Sequence, residues 1–304
     1  MQFSTGNNQK TSALEFKMCY KECECEGQKQ LNWLLRIITR RDNMHLDDMI
    51  FQKVYQIAFI KFNRPKAFNA VNFDLFNGLI KALETCADDR YIKVIVITGE
   101  GKAFSAGGDA AMFNSSPDMG ETIRQLTKVL NITISGIRQI SKPVIAMING
   151  TIAGVGISIA AACDLRICAS SAKFRQAYTS IGLAPDGAWA LLVPLLIGFS
   201  KASELAYIDP VFDAKEALEM GLVNKVVDDS DLETTTRNIA LKLAQGPGIA
   251  FSIMKENFNN ALLGLLERQL ELERKGIIWA ARTWDAKEGI ASFIEKRKPS
   301  FKGQ

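Results

Sequence analysis

Histidine is almost absent from this sequence: His45 is the only one among 304 residues. Chemistry that depends on an imidazole group, such as activation of a serine nucleophile or a zinc site with histidine pairs, therefore has little to draw on. No second group of ligands accompanies the cluster of Cys19, Cys23 and Cys25 at a familiar zinc spacing. We therefore expect no metal site.

A strong charge of either sign is also missing, since the formal net charge is only +4 at pH 7. Nucleic-acid-binding domains concentrate basic residues on one surface, so no nucleic-acid partner is expected. The most apolar run, ALLVPLLIGF, is about half the length of a membrane-spanning helix and contains Pro194. We therefore expect no membrane partner either.

The chain opens without the basic, apolar and small-residue regions of a secretory signal, and it ends in FKGQ, which is not a peroxisomal address. These absences predict a cytoplasmic protein. Its six cysteines are then expected to be reduced thiols rather than a disulfide framework. Neither a repeat of fixed period nor the fingerprint Gly-x-Gly-x-x-Gly occurs, which argues against a repeat array and a dinucleotide site.

The composition is that of a globular protein, with 47% hydrophobic and 23% charged residues. From residue 51 onward, strand and helix patterns alternate in the manner of an α/β domain. Residues 53–62 show a strand pattern, and apolar residues at helical spacing predict an amphipathic helix after Asn72. Residues 93–99 and 142–150 read as buried strands that end in glycine-bearing turns.

Three regions follow from these patterns. Residues 1–48 differ from the rest and are interpreted as an N-terminal extension, either disordered or upstream of the natural start. Residues 49–245 carry the alternating strands and helices, including a capping box at Asp213 and Glu216. Residues 246–304 are expected to be a helical C-terminal region.

The two glycine-bearing turns continue as GEGKAFSAGGDAAMF and NGTIAGVGISIAAACD. Glycine lets a ligand approach the backbone closely, and a helix that begins at GVGIS leaves its first N–H groups unpaired. Two such turns at neighbouring strand ends could each direct one N–H group at a single oxygen, which is the geometry of an oxyanion hole. Tight turns with glycine for packing explain the same letters, and spacing alone favours this simpler interpretation.

A single charged side chain, Asp186, stands within the long run QAYTSIGLAPDGAWALLVPLLIGFS. Burial of an unpaired carboxylate is costly unless its pKa rises or a specific partner holds it. Asp186 also stands just before a helix-forming stretch, and aspartate is a preferred N-cap residue. The local sequence therefore leaves a catalytic role and a capping role open.

Four segments together resemble the enoyl-CoA hydratase/isomerase (crotonase) superfamily: AFSAGGD, KPVIAMINGTIAGVGISIAAACDLRICASSAKF, FDAKEALEMGLVNKVV and FIEKRKPSFKG. The resemblance implies an α/β fold, a crotonase-like spiral of ββα repeats with a C-terminal helical region used for trimerisation. It implies an acyl-CoA thioester as substrate, and a homotrimer or a dimer of trimers as assembly. Coenzyme A is then part of the substrate, and no separate cofactor is expected.

The resemblance also assigns roles to residues. The backbone N–H groups of Ala106 and Val155 correspond to the oxyanion hole, and Asp186 stands where the family's Δ3,Δ2-enoyl-CoA isomerases place their single carboxylate. Hydratases of the family carry two glutamates instead, at places that correspond to Ser158 and Tyr178 here. The other residues expected to contact the substrate or its CoA moiety are Lys66, Ala67, Phe68, Gly107, Gly108, Asp109, Gly154, Tyr178, Trp189, Phe293 and Lys296.

These assignments predict an enoyl-CoA isomerase that shifts a double bond from Δ3 to Δ2 through an enolate held by the oxyanion hole. Asp186 would act as the acid and base, while Tyr178 and Trp189 read as pocket walls and Ser158 as a small helix residue. Two alternatives stay open. A hydratase could act through Asp186 with a water held by Tyr178, and a catalytically silent scaffold would bind acyl-CoA without turnover.

Overall fold

A computed structural model describes residues 42–46 and 48–304 of the chain. Most of the predicted N-terminal extension, with its three cysteines, lies outside these residues. A strand at residues 42–46 falls within the range predicted as the extension and joins the edge of the larger sheet.

The secondary structure alternates strands and helices, as the sequence pattern predicts. The strands are β1 (Asp42–Leu46), β2 (Met49–Val54), β3 (Ile57–Phe62), β4 (Val94–Gly99), β5 (Ala103–Ser105), β6 (Val144–Ile148), β7 (Thr151–Ala153), β8 (Leu165–Ala169), β9 (Lys173–Arg175), β10 (Phe212–Asp213) and β11 (Lys225–Val227). The helices are α1 (Phe73–Asp88), α2 (Ala110–Ser115), α3 (Met119–Gln139), α4 (Val155–Ala162), α5 (Trp189–Ile197), α6 (Phe199–Ile208), α7 (Ala214–Glu219), α8 (Leu232–Ala244), α9 (Gly248–Leu262), α10 (Leu266–Ala281) and α11 (Trp284–Glu295). Single 3₁₀ turns lie at Pro65–Ala67, Thr179–Ile181 and Asp229–Asp231.

The strands form two sheets that wind together. The larger sheet has the order β1-β2-β3-β4-β6-β8-β11, and it is parallel from β3 to β11. The smaller sheet has the order β10-β9-β7-β5, with β5, β7 and β9 parallel. In the pairs β4–β5, β6–β7 and β8–β9 the first strand joins the larger sheet, the second joins the smaller sheet, and helical segments follow. This arrangement is the predicted spiral of ββα repeats.

The segment 53–62 is not one strand, contrary to the sequence expectation. It contains the end of β2 and all of β3, which pair in an antiparallel hairpin with Val54 opposite Ile57. The chain reverses at Tyr55, whose φ of 55° lies in the left-handed region. No glycine, proline or asparagine marks this turn, and apolar residues on both sides conceal it in the sequence.

The larger sheet is covered on both faces, which explains its near-continuous apolar strands. In β4, Ile95 and Ile97 belong to the main core, while Val94 and Val96 face a second cluster that includes residues of α8. Helix α1 packs on the main core, and the Asn72 side chain caps it by accepting from Leu75 N at 2.9 Å. None of the described helices is long and apolar enough to cross a membrane.

Candidate functional site

The two glycine-bearing turns lie side by side because the strands before them, β5 and β7, pair in parallel. A Cβ atom on Gly107 would lie 3.2 Å from Ala153 O and 3.5 Å from Gly154 Cα. Gly107 and Gly154 also have positive φ values of 96° and 51°. Glycine at these positions therefore lets the turns touch, and it brings the predicted donors Ala106 and Val155 to one corner.

The two predicted oxyanion donors differ in availability. Val155 is the first residue of α4, and no described residue accepts a hydrogen bond from its N–H group. Such a free N–H group at a helix N-terminus favours negative charge. The Ala106 N–H group, in contrast, donates to the carbonyl oxygen of Phe68 at 2.9 Å. In the described structure, one of the two predicted donors is thus free and a backbone carbonyl occupies the other, and their joint role as an oxyanion hole stays a prediction.

Residues 64–70 form the loop that brings this carbonyl to Ala106. Asn69 is buried, accepts from Arg64 N at 2.9 Å, and donates to Ala103 O at 2.7 Å. The Arg64 guanidinium group pairs with Asp109 at 2.9 Å. Asp109 also caps α2 by accepting from two of its N–H groups, so its contacts are structural. Sequence reasoning did not identify Arg64 and Asn69, although both stand next to Lys66, Ala67 and Phe68, which it assigned to the substrate or its CoA moiety.

A cavity of about 320 Å³ opens beside this corner. Its apolar wall includes Phe76, Phe113, Leu126, Leu130 and Ile277. The predicted site residues that line it are Ala106, Gly107, Gly108, Gly154, Val155, Tyr178, Asp186 and Phe293. Those that do not line it are Lys66, Ala67, Phe68, Asp109, Trp189 and Lys296. A larger cavity of about 670 Å³ between α1, α3 and α10 contains none of the predicted residues.

Asp186 supplies the carboxylate of the cavity. It is 7% exposed and precedes Gly187 and Ala188, whose φ values of 68° and 61° turn the chain into α5. Burial raises the pKa of Asp186 to about 6, while a hydrogen bond from Tyr178 acts to lower it. Near neutral pH this side chain is therefore mostly ionised and able to accept a proton.

Two hydroxyl groups hold Asp186. The Tyr178 hydroxyl group donates to Asp186 Oδ1 at 2.6 Å, and Ser158 Oγ donates to the Asp186 main-chain oxygen at 2.8 Å. Burial raises the pKa of Tyr178 well above its usual value, so the phenol stays neutral and keeps the proton that it donates. Ser158 and Tyr178, the two residues that the resemblance aligns with glutamates of other members, both serve here as partners of Asp186.

The Asp186 side chain does not cap α5, so the alternative role from the sequence is not seen. The N-cap residue of α5 is Ala188, whose methyl side chain cannot accept a hydrogen bond. The acceptor comes from α10, where Glu273 Oε1 accepts a hydrogen bond from Ala190 N at 3.0 Å. Burial raises the pKa of Glu273 to about 7. Sequence reasoning missed Glu273 because the residue is 83 positions from its partner.

Trp189 and Ser158 are both buried next to this turn. Trp189 is the first residue of α5, and its Nε1 atom has no partner among the described residues. Trp189 is therefore buried beside the turn 186–188 and does not line the cavity wall to which the sequence assigned it. A Cβ atom on Gly187 would lie 3.0 Å from Ser158 Cβ, so the turn after Asp186 packs closely against Ser158 only with glycine at position 187.

Comparison with known proteins yields one family. The family model described as enoyl-CoA hydratase/isomerase matches residues 52–304. The 1,2-epoxyphenylacetyl-CoA isomerase of Escherichia coli is 33% identical over 253 residues, which cover 82% of this chain and 95% of that protein. The crotonyl-CoA hydratase of Syntrophomonas wolfei is 34% identical over 259 residues, which cover 85% of this chain and 99% of that protein.

The solved structures give the same result for the fold. The crystal structure of an enoyl-CoA hydratase from Mycobacterium avium subsp. paratuberculosis matches with a TM-score of 0.78 at 30% identity. The match covers 85% of this chain and 100% of that chain. The resemblance drawn from four sequence segments is therefore confirmed, and so is the fold that it implied.

Proposed function

Because the chain belongs to the enoyl-CoA hydratase/isomerase family, we propose that it is an enoyl-CoA isomerase that shifts a double bond from Δ3 to Δ2. One observation carries the proposal: among the residues that the structure describes, Asp186 is the one carboxylate that lines the cavity at the free N–H group of Val155. An allylic shift needs one group that removes a proton and returns it. Hydration asks for more, since a water must also be positioned and activated.

The chemistry follows from these positions. Asp186 removes a proton from C2 of a 3-enoyl-CoA and returns it at C4, so the double bond moves to C2–C3. The intermediate enolate has its charge on the thioester oxygen, which accepts a hydrogen bond from Val155 N–H. One such donor typically contributes about 3 kcal/mol to lowering the barrier. The Ala106 N–H group joins it when the thioester oxygen replaces the Phe68 carbonyl as acceptor.

In this proposal the CoA moiety lies along two exposed segments, the loop 64–70 and the end of α11. Lys66 and Phe68 are exposed on the loop 64–70, and Phe293 and Lys296 are exposed at the end of α11. A lysine beside the phosphates and an aromatic ring beside the adenine would suit this ligand. Coenzyme A belongs to the substrate in this proposal, and the reaction takes no other cofactor.

Hydration is the second candidate, because one of the similar proteins is named crotonyl-CoA hydratase. In that reaction Asp186 would activate a water, and Tyr178 would help to hold it. The hydroxyl proton of Tyr178 is already donated to Asp186, which leaves the phenol fewer ways to orient a water. Isomerisation is therefore the better supported of the two.

Mass spectrometry distinguishes the candidates. A 3-enoyl-CoA should yield the conjugated 2-enoyl-CoA at unchanged mass, whereas a hydratase given 2-enoyl-CoA adds one water. We expect kcat/KM for the isomerisation to rise with pH through about 6, since Asp186 acts as the ionised base. Dominant addition of water would move the assignment to hydratase, and binding of several enoyl-CoA thioesters without turnover of any would indicate a scaffold.

A further inference from the structure

We infer that Tyr178 is a positioning residue: its hydroxyl group holds Oδ1 of Asp186 and leaves Oδ2 as the oxygen that takes and returns the proton. The inference rests on the proposed role of Asp186 and goes beyond it, because it assigns work to a residue that otherwise reads as a wall. It also explains how a single carboxylate can act at two carbons, since one oriented oxygen faces the same side of the substrate throughout.

The hydrogen bond itself is the first observation. Tyr178 and Asp186 are 6% and 7% exposed, and the hydroxyl-to-carboxylate distance is 2.6 Å. Within the described residues, no other side chain donates to the Asp186 carboxylate, because Ser158 donates to the main-chain oxygen. A charge-assisted hydrogen bond in a buried site is short and strong. Tyr178 therefore fixes the orientation of the carboxylate.

The backbone around Tyr178 is held more firmly than a wall residue needs. The Tyr178 N–H group donates to the buried Gln176 side chain at 2.9 Å, and the preceding N–H, that of Ala177, donates to Asp209 at 2.7 Å. Ala177 has a φ of 61°, a strained value for a residue with a Cβ atom. Two N–H groups, those of Ile181 and Leu183, donate to the Tyr178 carbonyl at 3.0 Å.

The ring of Tyr178 also lies close to Gly154, the residue before Val155. A Cβ atom on Gly154 would lie 4.0 Å from Tyr178 Cζ, the carbon that bears the hydroxyl group. The phenol therefore spans from the turn before Val155 to the carboxylate of Asp186. In this position it sets the separation between the oxygen that moves the proton and the N–H group that receives the enolate charge.

The electrostatic consequence concerns the pKa of Asp186. Burial raises this pKa, and the hydrogen bond from Tyr178 lowers it, so the phenol keeps the carboxylate ionised near neutral pH. The other titratable groups nearby are Glu273 on α10 and the cavity residues Lys173 and Arg175, while α4 contributes none. Burial raises the pKa of Glu273 to about 7, and the negative charge of Asp186 acts in the same direction.

Tyr178→Phe removes the hydroxyl group and keeps the ring. We expect kcat to fall by about 10-fold to 100-fold, the usual worth of a hydrogen bond to a buried charge. The acidic limb of kcat/KM should move upward from about pH 6, because the ionised carboxylate loses its donor. The same shift should appear without substrate, in the pH titration of the Asp186 carboxyl infrared band, which Asp186→Asn identifies by its loss. Tyr91→Phe, at an exposed tyrosine, is the matched control and should change neither quantity.

A second replacement keeps the hydroxyl group and the fold. Incorporation of a difluorotyrosine at position 178 makes the phenol a stronger donor. The acidic limb of the kcat/KM profile and the midpoint of the infrared titration of Asp186 should therefore both move to lower pH. Unchanged midpoints in both proteins would overturn the inference, and so would a loss of turnover in Tyr178→Phe without any shift, which a wall residue predicts. Failure of the proposed function is distinguishable, because it would show in the native chain as dominant addition of water or as binding without turnover, or as full activity of Asp186→Asn.

Discussion

Asp186 is buried beside apolar side chains, and the charge that suits it for proton transfer also destabilises the fold. Its pKa of about 6 lies above the ordinary value of 3.8, so the folded chain binds this proton more tightly than the unfolded chain. Stability from this group is therefore fully present below pH 4 and is lost as the pH rises through 6. Asp186→Asn removes the buried charge, so the variant should be at least as stable as the native chain at pH 8.

Replacement of Val155 tests directly whether its backbone N–H group holds the enolate oxygen. Proline is tolerated at the first position of a helix, where its missing N–H has no helical acceptor. Val155→Pro should therefore keep α4 and remove the free donor, with a fall in kcat of about 10² to 10³. Val155→Ala, which keeps the N–H group, is the control. Equal turnover of the two variants with 3-enoyl-CoA would show that this donor does not hold the enolate.

Helices with local start signals could be predicted from the sequence, and contacts between distant segments could not. Asn72 caps α1, and Asp213 and Glu216 form the predicted capping box of α7. The cap of α5 instead comes from Glu273, which no local pattern connects with that helix. The occupied Ala106 donor likewise depends on a carbonyl of a separate loop. The position of Asp186 was predicted, but its hydroxyl partner requires the fold.

Helix α11 packs against the turn Thr179–Ile181 through two glycines. A Cβ atom on Gly289 would lie 2.4 Å from the backbone of Ile181, and one on Gly182 would lie 2.6 Å from Asp285 O. These contacts press α11 against the Thr179–Ile181 turn, which directly follows Tyr178. The C-terminal helical region therefore shapes the site within one chain, whatever it contributes to assembly.

Gly289→Ala tests this support. The added methyl group should force α11 away from the turn and lower the free energy of unfolding by about 1 to 3 kcal/mol, with a loss of turnover. Gly276→Ala on α10 is the matched control, because nothing lies within 4 Å of its Cβ position. That change should stabilise the helix by about 0.5 to 1 kcal/mol. If urea denaturation gives a change in the free energy of unfolding of the same sign for both variants, the role of α11 is contradicted.

Large apolar side chains are exposed across the C-terminal helical region of the chain. Ile249 is 81% exposed and Trp279 is 78% exposed. Others in the same region are Ile253, Met254, Phe258, Leu262, Leu265, Phe293 and Ile294. Exposed apolar surface of this extent is typical of a protein that associates with other chains. It supports the predicted homotrimer or dimer of trimers.

Light scattering on the purified chain measures this assembly. We expect three or six times the mass of one chain, independent of concentration over the micromolar range. Trp279→Glu, which places a charge on this surface, should lower the mass if α10 lies in the contact, whereas Lys275→Glu at a polar neighbouring position serves as control. A monomeric mass for the native chain at every concentration would contradict the prediction.

The central claim is that Asp186 is the acid and base of an allylic shift, and turnover of a 3-enoyl-CoA by Asp186→Asn tests it most directly. Asparagine preserves the shape and can still accept from Tyr178, so folding and acyl-CoA binding should persist. Turnover should fall by about 10² to 10⁴, the usual contribution of general acid–base catalysis. Isomerisation by Asp186→Asn at the native rate, with the same acyl-CoA affinity, would contradict the account.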